Sequence, residues 1–275
     1  MSIHISVLNM TGDQLDLQLD EPHNFATVQQ HCQEQWGVPI LCQEFLVNDE
    51  VGVTSQEDFA PHCASGEPLL MRMLVSLRGV LEDTRSRDLV KRRAALKALA
   101  FPQARGNEEA IAAASSYVTS SNMQISHAAW EALAALLPED RAFPFLSKYL
   151  QNKDSAIRAS TVEVLPAFVK IDDKDAISAL GQCLSDINPS VRHAATRMSG
   201  AICTKGNEQA LIVISQYLDF DDAGVRAAAV RALGQVMKKE HASAMIVLQK
   251  LLREDKDLNV KYAAHDVLDR CGKSK

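Results

Sequence analysis

Apolar and polar positions follow two different periods along the chain, and the change between them lies near residue 75. Residues 3–7 and 14–20 alternate apolar and polar side chains, which is the period of a half-buried β-strand. The segment between them contains Asn9 and Gly12, and it predicts the turn of a β-hairpin with a slightly wide loop. The chain is therefore expected to begin with two paired strands.

One helix and two further strands are predicted in the rest of this region. Apolar residues at 25, 28 and 32 fall at helical spacing after a capping position at Asn24 or Thr27. Gly37 and Pro39 are typical of the end of such a helix. The segments 45–47 and 69–75 predict two strands, so the order is β-β-α-β-β.

From residue 76 onward the chain repeats itself. Each copy has a turn with Asp or Asn, a branched aliphatic residue, a register residue that is usually basic, and paired small residues. Self-similarity at such a period predicts stacked helical hairpins. First helices are predicted at 107–118, 141–150, 174–184, 208–218 and 241–253, and 87–101 forms a half unit. The register residues are Arg92, Ser126, Arg158, Arg192, Arg226 and Lys261, at steps of 34, 32, 34, 34 and 35.

The repeated motif resembles that of HEAT repeats, particularly the short HEAT-like repeats of the phycobilisome-lyase type. Val225-Arg226 followed by Ala228-Ala229 is its clearest copy. Tetratricopeptide repeats have a similar period, but their aromatic and glycine pattern in the first helix is absent. The resemblance implies an all-α, right-handed helical-repeat solenoid over residues 76–275, with about five and a half hairpins.

The first 75 residues resemble a ubiquitin-like domain. The resemblance rests on the opening strand, the loop ending at Thr11-Gly12, the helix exit at 36–39, and the strands 44–48 and 69–73. It implies a two-domain chain in which a small α+β β-grasp domain occupies residues 1–75. A conjugated modifier is not expected, because Gly79 is single and a long chain follows it.

Members of that family often bind partners through an apolar patch on the open face of the sheet. Leu46 and Leu70 match positions of this patch, with Arg72 beside them as the single basic residue of the first 75. The resemblance therefore implies a second interaction surface at these three residues. The alternative is that Leu46 and Leu70 pack against the neighbouring repeat.

Charge supports a boundary near residue 75. Residues 1–75 carry 11 acidic groups and one basic group, a net charge of −10, and the remainder carries 24 acidic and 28 basic groups, a net charge of +4. Two such different surfaces favour two domains. The acidic domain could also dock on the repeats of its own chain and cover their groove, as a further alternative.

Localisation and metal binding are constrained by what the sequence lacks. No apolar stretch is long enough to cross a membrane, and the N-terminus does not have the pattern of a secretory signal, so a cytoplasmic or nuclear monomer is expected. The six cysteines show no CxxC spacing. His31-Cys32 and His62-Cys63 could form a zinc site together with Cys42, but burial of Cys32 in the helix is favoured, and no metal or cofactor is predicted.

The predicted partner surface lies on the second helices, which line the concave face of such solenoids. Its mixed charge favours a protein or peptide over nucleic acid, which needs a clustered basic face. The register arginines themselves are expected to link neighbouring repeats. The surface consists of the positions one and five after each register residue: Arg93, Lys97, His127, Glu131, Ala159, Glu163, His193, Arg197, Ala227, Arg231, Tyr262 and Asp266.

Catalytic motifs are absent from the sequence. There is no GxSxG, phosphate-binding loop, dinucleotide fingerprint or HExxH, and no His-Glu dipeptide of the kind that holds metal in some helical-repeat enzymes. The sequence therefore predicts a non-enzymatic adaptor or scaffold for protein–protein interaction. The alternative, from fold analogy alone, is a bilin-lyase-like subunit that handles a linear tetrapyrrole.

Overall fold

The computed structural model describes residues 2–48, 51–64 and 67–272. The chain divides into two compact units, Met1–Leu137 and Pro138–Lys275. The first unit contains a mixed five-stranded sheet, two helices that belong to the same region as the sheet, and four further helices. The second unit is entirely helical.

The sheet region follows the predicted alternation. Its elements are β1 Ile3–Leu8, β2 Gln14–Leu19, α1 Phe25–Trp36, β3 Gln43–Val47, β4 Val51–Val53, α2 Gln56–Cys63 and β5 Leu69–Val75. The strand order is β2-β1-β5-β3-β4. Strands β1 and β5 are parallel, and the other pairs are antiparallel. The inward residues of the central strands are buried, including Ile5, Phe45 and Met71.

Helix α1 begins and ends where the sequence predicts. The side chain of Asn24 accepts a hydrogen bond from the Ala26 N–H, and Gly37 ends the helix with φ 67°, a conformation that favours glycine. Phe25 lies in the core, 5.3 Å from the ring centroids of both Phe45 and Phe59. The apolar face of α1 thus covers one side of the sheet.

Strand β4 and helix α2 were not predicted. Helix α2 begins with a capping box, in which the Ser55 side chain accepts from the Asp58 N–H and the Asp58 carboxylate accepts from the Ser55 N–H. The Asp58 carboxylate accepts hydrogen bonds from Thr54 as well as from Ser55, and these bonds hold the pKa of Asp58 below its usual value. The helix contributes Phe59 and Cys63 to the core.

Twelve helices form six consecutive pairs in the described part of the chain. Residues 78–86 do form a first helix, of seven residues, so the first pair is complete and the expected half unit is wrong. In the first unit the helices are α3 Arg78–Thr84, α4 Leu89–Ala98, α5 Glu108–Ser115 and α6 Met123–Leu136. In the second they are α7 Glu139–Leu150, α8 Ser155–Val164, α9 Lys174–Leu184, α10 Pro189–Ile202, α11 Glu208–Ser215, α12 Ala223–Val236, α13 Ala242–Glu254 and α14 Leu258–Gly272.

The acidic and amide residues of the turns cap the second helices, as the sequence predicts. Each accepts a hydrogen bond from a free N–H of the first helical turn, an interaction that stabilises a helix by about 1 kcal/mol. The capping residues are Asp88, Asn122, Asp154, Asn188 and Asp222, and Asp257 makes the same contacts before α14.

A second repeated hydrogen bond joins one helix pair to the next. In three loops a residue with positive φ donates its backbone N–H to the carbonyl oxygen near the end of the following second helix. Glycine suits two of these positions because it has no Cβ to strain. The bonds are Gly106 N–Leu136 O at 2.7 Å, Asp172 N–Ile202 O at 2.8 Å and Gly206 N–Val236 O at 2.7 Å.

The sheet region contacts helix α4 and the loop that follows it, within its own unit. The Ser76 N–H donates to the Cys42 carbonyl at 2.9 Å, and the Cys42 thiol approaches the Ala98 carbonyl at 3.7 Å. The Gln103 amide donates to the Trp36 carbonyl at 3.4 Å. The last strand ends at Val75, where the sequence places the boundary between two domains; that boundary stays a prediction.

Candidate functional site

Two of the four register arginines, Arg158 and Arg226, link neighbouring repeats through a carboxylate. Arg158 Nε and Nη2 each donate at 2.7 Å to the carboxylate of Asp186, which lies in the turn of the next repeat. Arg226 makes the same two contacts to Asp255 at 2.8 and 2.9 Å. The expected link between neighbouring repeats is thus confirmed at these two arginines, and we call this repeated contact the ladder; each carboxylate belongs to the turn of the following repeat.

The ladder is too enclosed to serve as a ligand site. The side chains of Arg226 and Asp255 are 15% and 5% exposed, and those of Arg158 and Asp186 are both 13% exposed. The hydrogen bond from Arg226 holds the pKa of Asp255 below its usual value. These arginines are therefore fully engaged within the fold.

Every register residue also binds the main chain of its preceding turn or helix end. This contact recurs even where the residue type changes, so it belongs to the geometry of the repeat. The acceptors are the carbonyl oxygens of Ser86 for Arg92, Val118 for Ser126, Asn152 and Lys153 for Arg158, Asp186 and Ile187 for Arg192, Phe220 and Asp221 for Arg226, and Arg253 for Lys261.

In the first unit, all four predicted surface residues of the second helices are exposed. The Lys97 ammonium lies 3.8 Å from the Glu131 carboxylate, one repeat further along the chain. His127 Nδ1 lies 3.3 Å from the same carboxylate, and Arg93 donates to the Gln124 side chain at 3.3 Å. Lys97 and His127 thus share the Glu131 carboxylate, whereas Arg93 contacts a neutral amide.

In the second unit, six of the predicted residues are exposed: Glu163, His193, Arg197, Arg231, Tyr262 and Asp266. Ala159 is half-buried. Ala227 is only 2% exposed, so its assignment to an exposed stripe is wrong: α12 lies between α10 and α14, and a methyl group does not reach beyond the flanking side chains.

Three of the four charged residues in this second row, Glu163, Arg197 and Asp266, are paired, and Arg231 is not. Arg197 donates to Glu163 on the neighbouring helix at 2.7 Å, and Arg270 donates to Asp266 at 2.6 Å. Within the described residues, Arg231 has neither a hydrogen bond nor an ion pair, and the same holds for His193 and Tyr262. These three side chains are available to another molecule.

The face of the sheet opposite its core brings together Leu46, Leu70 and Arg72. Arg72 pairs in register with Leu46 on one side and with Leu8 on the other, and Leu70 is 44% exposed. Leu8 was missed, although the alternation of β1 places it on this face. Helix α4 contacts the sheet region at Cys42, and the exposure of Leu70 shows that packing against a neighbouring repeat does not account for it.

Cys32, Cys42 and Cys63 are buried thiols. Burial raises the pKa of the Cys32 and Cys42 thiols to about 12, which disfavours the thiolate that a metal would bind. Among the described residues, no group of three His, Cys, Asp or Glu side chains converges on a common point. Within the same ranges, no helix is long and apolar enough to cross a bilayer.

Comparison with known structures finds other helical-repeat proteins. The HEAT-like repeats protein from Thermococcus onnurineus NA1 is 16% identical, with 71% of this chain and 86% of that chain covered and a TM-score of 0.38. The CpcE–CpcF complex of phycocyanin lyase from Nostoc sp. PCC7120 is 20% identical, covering 57% and 97%, with a TM-score of 0.43. A designed armadillo repeat protein in complex with the peptide (KR)4 is 20% identical, covering 70% and 98%, with a TM-score of 0.38.

Similarity at this level supports no statement about function. No curated protein sequence matches the chain. The family model for HEAT repeats matches residues 77–166 and 177–269, about two thirds of the chain, and these ranges include all six register residues. The chain belongs to the HEAT-repeat family.

Proposed function

We propose that this protein is a non-enzymatic adaptor that binds a protein or peptide partner along its second helices. The observation that carries the proposal is that some positions of each repeat hold the fold together while others face solvent. The register residue is held by hydrogen bonds to the fold, whereas ten of the twelve residues one and five positions after it are exposed, and they differ from repeat to repeat. A constant scaffold with variable exposed side chains is suited to recognition.

The chemistry of these exposed rows favours a polypeptide as the partner. Acidic, basic, imidazole and phenol groups alternate along them, so no continuous field of one sign is present to hold a nucleic-acid backbone. A peptide can match such a pattern residue by residue. The concave groove predicted for the second helices is the proposed location.

The sheet region is proposed to be a ubiquitin-like β-grasp domain that supplies a second interaction surface. The strand order β2-β1-β5-β3-β4, with β1 parallel to β5 and α1 across one face, supports this identity. Leu8, Leu46 and Leu70 around Arg72 form a compact apolar area on its open face. Such an area suits a partner with an exposed apolar side chain.

Site-specific photo-crosslinking tests the adaptor function. A photoreactive amino acid at position 193 in the row of the second unit should capture a defined partner. The same amino acid at position 250 is the matched control, because this position is exposed on α13, the first helix of its pair. Equal capture at both positions, or capture at position 250 alone, would contradict the proposal.

The bilin-lyase-like alternative has its own measurement. A linear tetrapyrrole bound by the chain would change its absorption spectrum on mixing. An unchanged spectrum at concentrations well above that of the protein would remove this alternative. The crosslinking result is independent of it.

A further inference from the structure

Arg231 lies in a row of the second unit whose other charged residues are all paired. Arg197 is paired with Glu163, and Asp266 is paired with Arg270. Arg231 occupies the equivalent position between Arg197 and Asp266, one repeat from each, and among the residues that the structure describes it has no ion-pair partner. The row therefore presents one uncompensated positive charge to solvent.

The surroundings of Arg231 are set by three closely packed helices. The Thr196 hydroxyl contacts the Ala228 carbonyl at 3.3 Å between α10 and α12. Gly234 allows Val267 to approach α12 so closely that an added Cβ would lie 2.6 Å from its side chain. The 2.7 Å contact of Arg197 with Glu163 shows that side chains at this position can meet across neighbouring second helices.

One helical turn before Arg231, the middle residue of the row is buried and the residues on both sides of it are exposed. His193, Ala227 and Tyr262 are equivalent residues of three consecutive repeats. Ala227 is 2% exposed, whereas Tyr262 is 69% exposed and His193 is also exposed. Two exposed rings thus lie on either side of a buried methyl group, four residues before Arg231 in α12.

The last helix adds apolar surface to the same row. Leu258 is 64% exposed, and it lies four residues before Tyr262, so both share one face of α14. A leucine and a tyrosine exposed together on a helix face lose unfavourable contact with water when an apolar group covers them. The site therefore combines a cation with neighbouring apolar surface.

We propose that this row recognises an acidic peptide residue accompanied by an apolar one. Arg231 binds the carboxylate of an Asp or Glu side chain between His193 and Tyr262, and Leu258 with Tyr262 covers the apolar residue. This inference rests on the proposed function and names the chemistry of its partner. An arginine fork holds a carboxylate through two parallel hydrogen bonds.

The spacing of the two peptide residues follows from the packing of the helices. Neighbouring helices lie about 8–10 Å apart, and an extended peptide advances about 3.3 Å per residue. A peptide that crosses from α12 to α14 therefore places its acidic and apolar residues about three positions apart. This spacing is a further property that an experiment can check.

A peptide array probed with the full chain tests the inference. The peptides have nine residues, with Asp, Asn or Lys at the centre and Leu or Ala three positions away. Binding should favour Asp over Asn by about tenfold, because a charge-assisted hydrogen bond is lost with Asn. Arg231→Glu should reverse the preference to Lys, and Tyr262→Ala should weaken the preference for Leu over Ala while that for Asp remains.

Controls separate this inference from the proposed function. Lys250→Glu makes the same charge change on α13 and should leave the array pattern unchanged. If binding depends on His193 and Tyr262 but not on the peptide carboxylate, the inference is wrong and the adaptor function stands. If Arg231→Glu, His193→Ala and Tyr262→Ala all leave peptide binding unchanged, the inference fails, and the adaptor function is then decided by the photo-crosslinking at position 193. Competition by inorganic phosphate as effective as that by the Asp peptide would show a nonspecific anion site and overturn the inference.

Discussion

The register arginine and the arginine five residues after it have different roles in the same helix. Arg226 is 15% exposed and engages Asp255 and two carbonyl oxygens, whereas Arg231 is exposed and unpaired within the described residues. A partially buried ion pair leaves a costly uncompensated group when one member is removed. Substitutions at these two positions therefore act on different properties of the protein.

Asp255→Asn should lower the free energy of unfolding of the second unit by about 2 kcal/mol, because the guanidinium of Arg226 loses its carboxylate partner in a largely enclosed place. Urea unfolding followed by circular dichroism measures this. Asp266→Asn removes an exposed ion pair with Arg270 and should cost less than about 0.5 kcal/mol. Equal effects of the two substitutions would contradict the ladder.

The loss of stability caused by Asp255→Asn should be larger near neutral pH than in acid. The folded-state pKa of Asp255 is lowered, first by the hydrogen bond from Arg226. A group with a depressed folded pKa contributes its full stability above its unfolded pKa, about 3.9 for Asp, and loses it as pH falls through the folded pKa. The difference between wild type and variant should therefore be largest near neutral pH and shrink in acid.

Glycines within helices show how closely the repeats approach one another. An added Cβ at Gly234 would lie 2.6 Å from Val267 Cγ2, whereas one at Gly79 in α3 would meet nothing within 4 Å. Gly234→Ala should therefore destabilise the protein by about 1–3 kcal/mol through overpacking. Gly79→Ala should be neutral or stabilise it by up to about 1 kcal/mol. Thermal unfolding of the two variants checks this, and a stabilising Gly234→Ala would show that α12 and α14 are less tightly packed.

At the scale of the element, helix boundaries depend on single capping residues. Asp222 accepts a hydrogen bond from the Val225 N–H at the start of α12. Asp222→Ala should lower the free energy of unfolding by about 1 kcal/mol. Asp221→Ala, in the same turn, removes a side chain that caps no helix and should cost less than about 0.5 kcal/mol. Urea unfolding distinguishes them, and a larger cost at Asp221 would be the contrary result.

A helix or strand could be predicted from the sequence where its local signals, such as a cap and an apolar period, agree. The predicted first helix at 174–184 is observed as Lys174–Leu184, because its cap and its apolar period agree. Helix α2 was missed because Pro61 interrupts its pattern, although the Ser55–Asp58 capping box was a usable signal. Strand β4 was missed because three residues are too few to show a period.

The candidate site was predictable only in outline. Counting from the register residue places ten charged, imidazole or phenol side chains on the surface, and all ten are exposed. Counting could not show that Ala227 lies below its neighbours, because the depth of a small side chain depends on how closely adjacent helices pack. Nor could it show that Arg158 reaches Asp186, since that contact requires two repeats to be stacked.

At the scale of the whole molecule, the sheet region covers the start of the repeat array within the first unit. Ser76 and Cys42 share a hydrogen bond, and the Cys42 thiol contacts the Ala98 carbonyl at the end of α4. The buried ring of Phe101 lies beside residues of the sheet region, including Trp36 and Met73. Terminal repeats need such cover because their outer faces have no neighbouring repeat.

Removal of residues 1–75 should therefore act locally. The loss uncovers Phe101 and the end of α4, so amide hydrogen exchange in α3 and α4 should accelerate strongly, while exchange in α10 and α12 should change little. Repeat arrays lose stability mainly next to a lost neighbour, which is why the effect should fade along the chain. Hydrogen-exchange mass spectrometry on the full chain and on residues 76–275 makes the comparison. Unchanged exchange in α3 and α4 would show that the sheet region is an independent module, and its open face with Leu46, Leu70 and Arg72 would then be its main contribution.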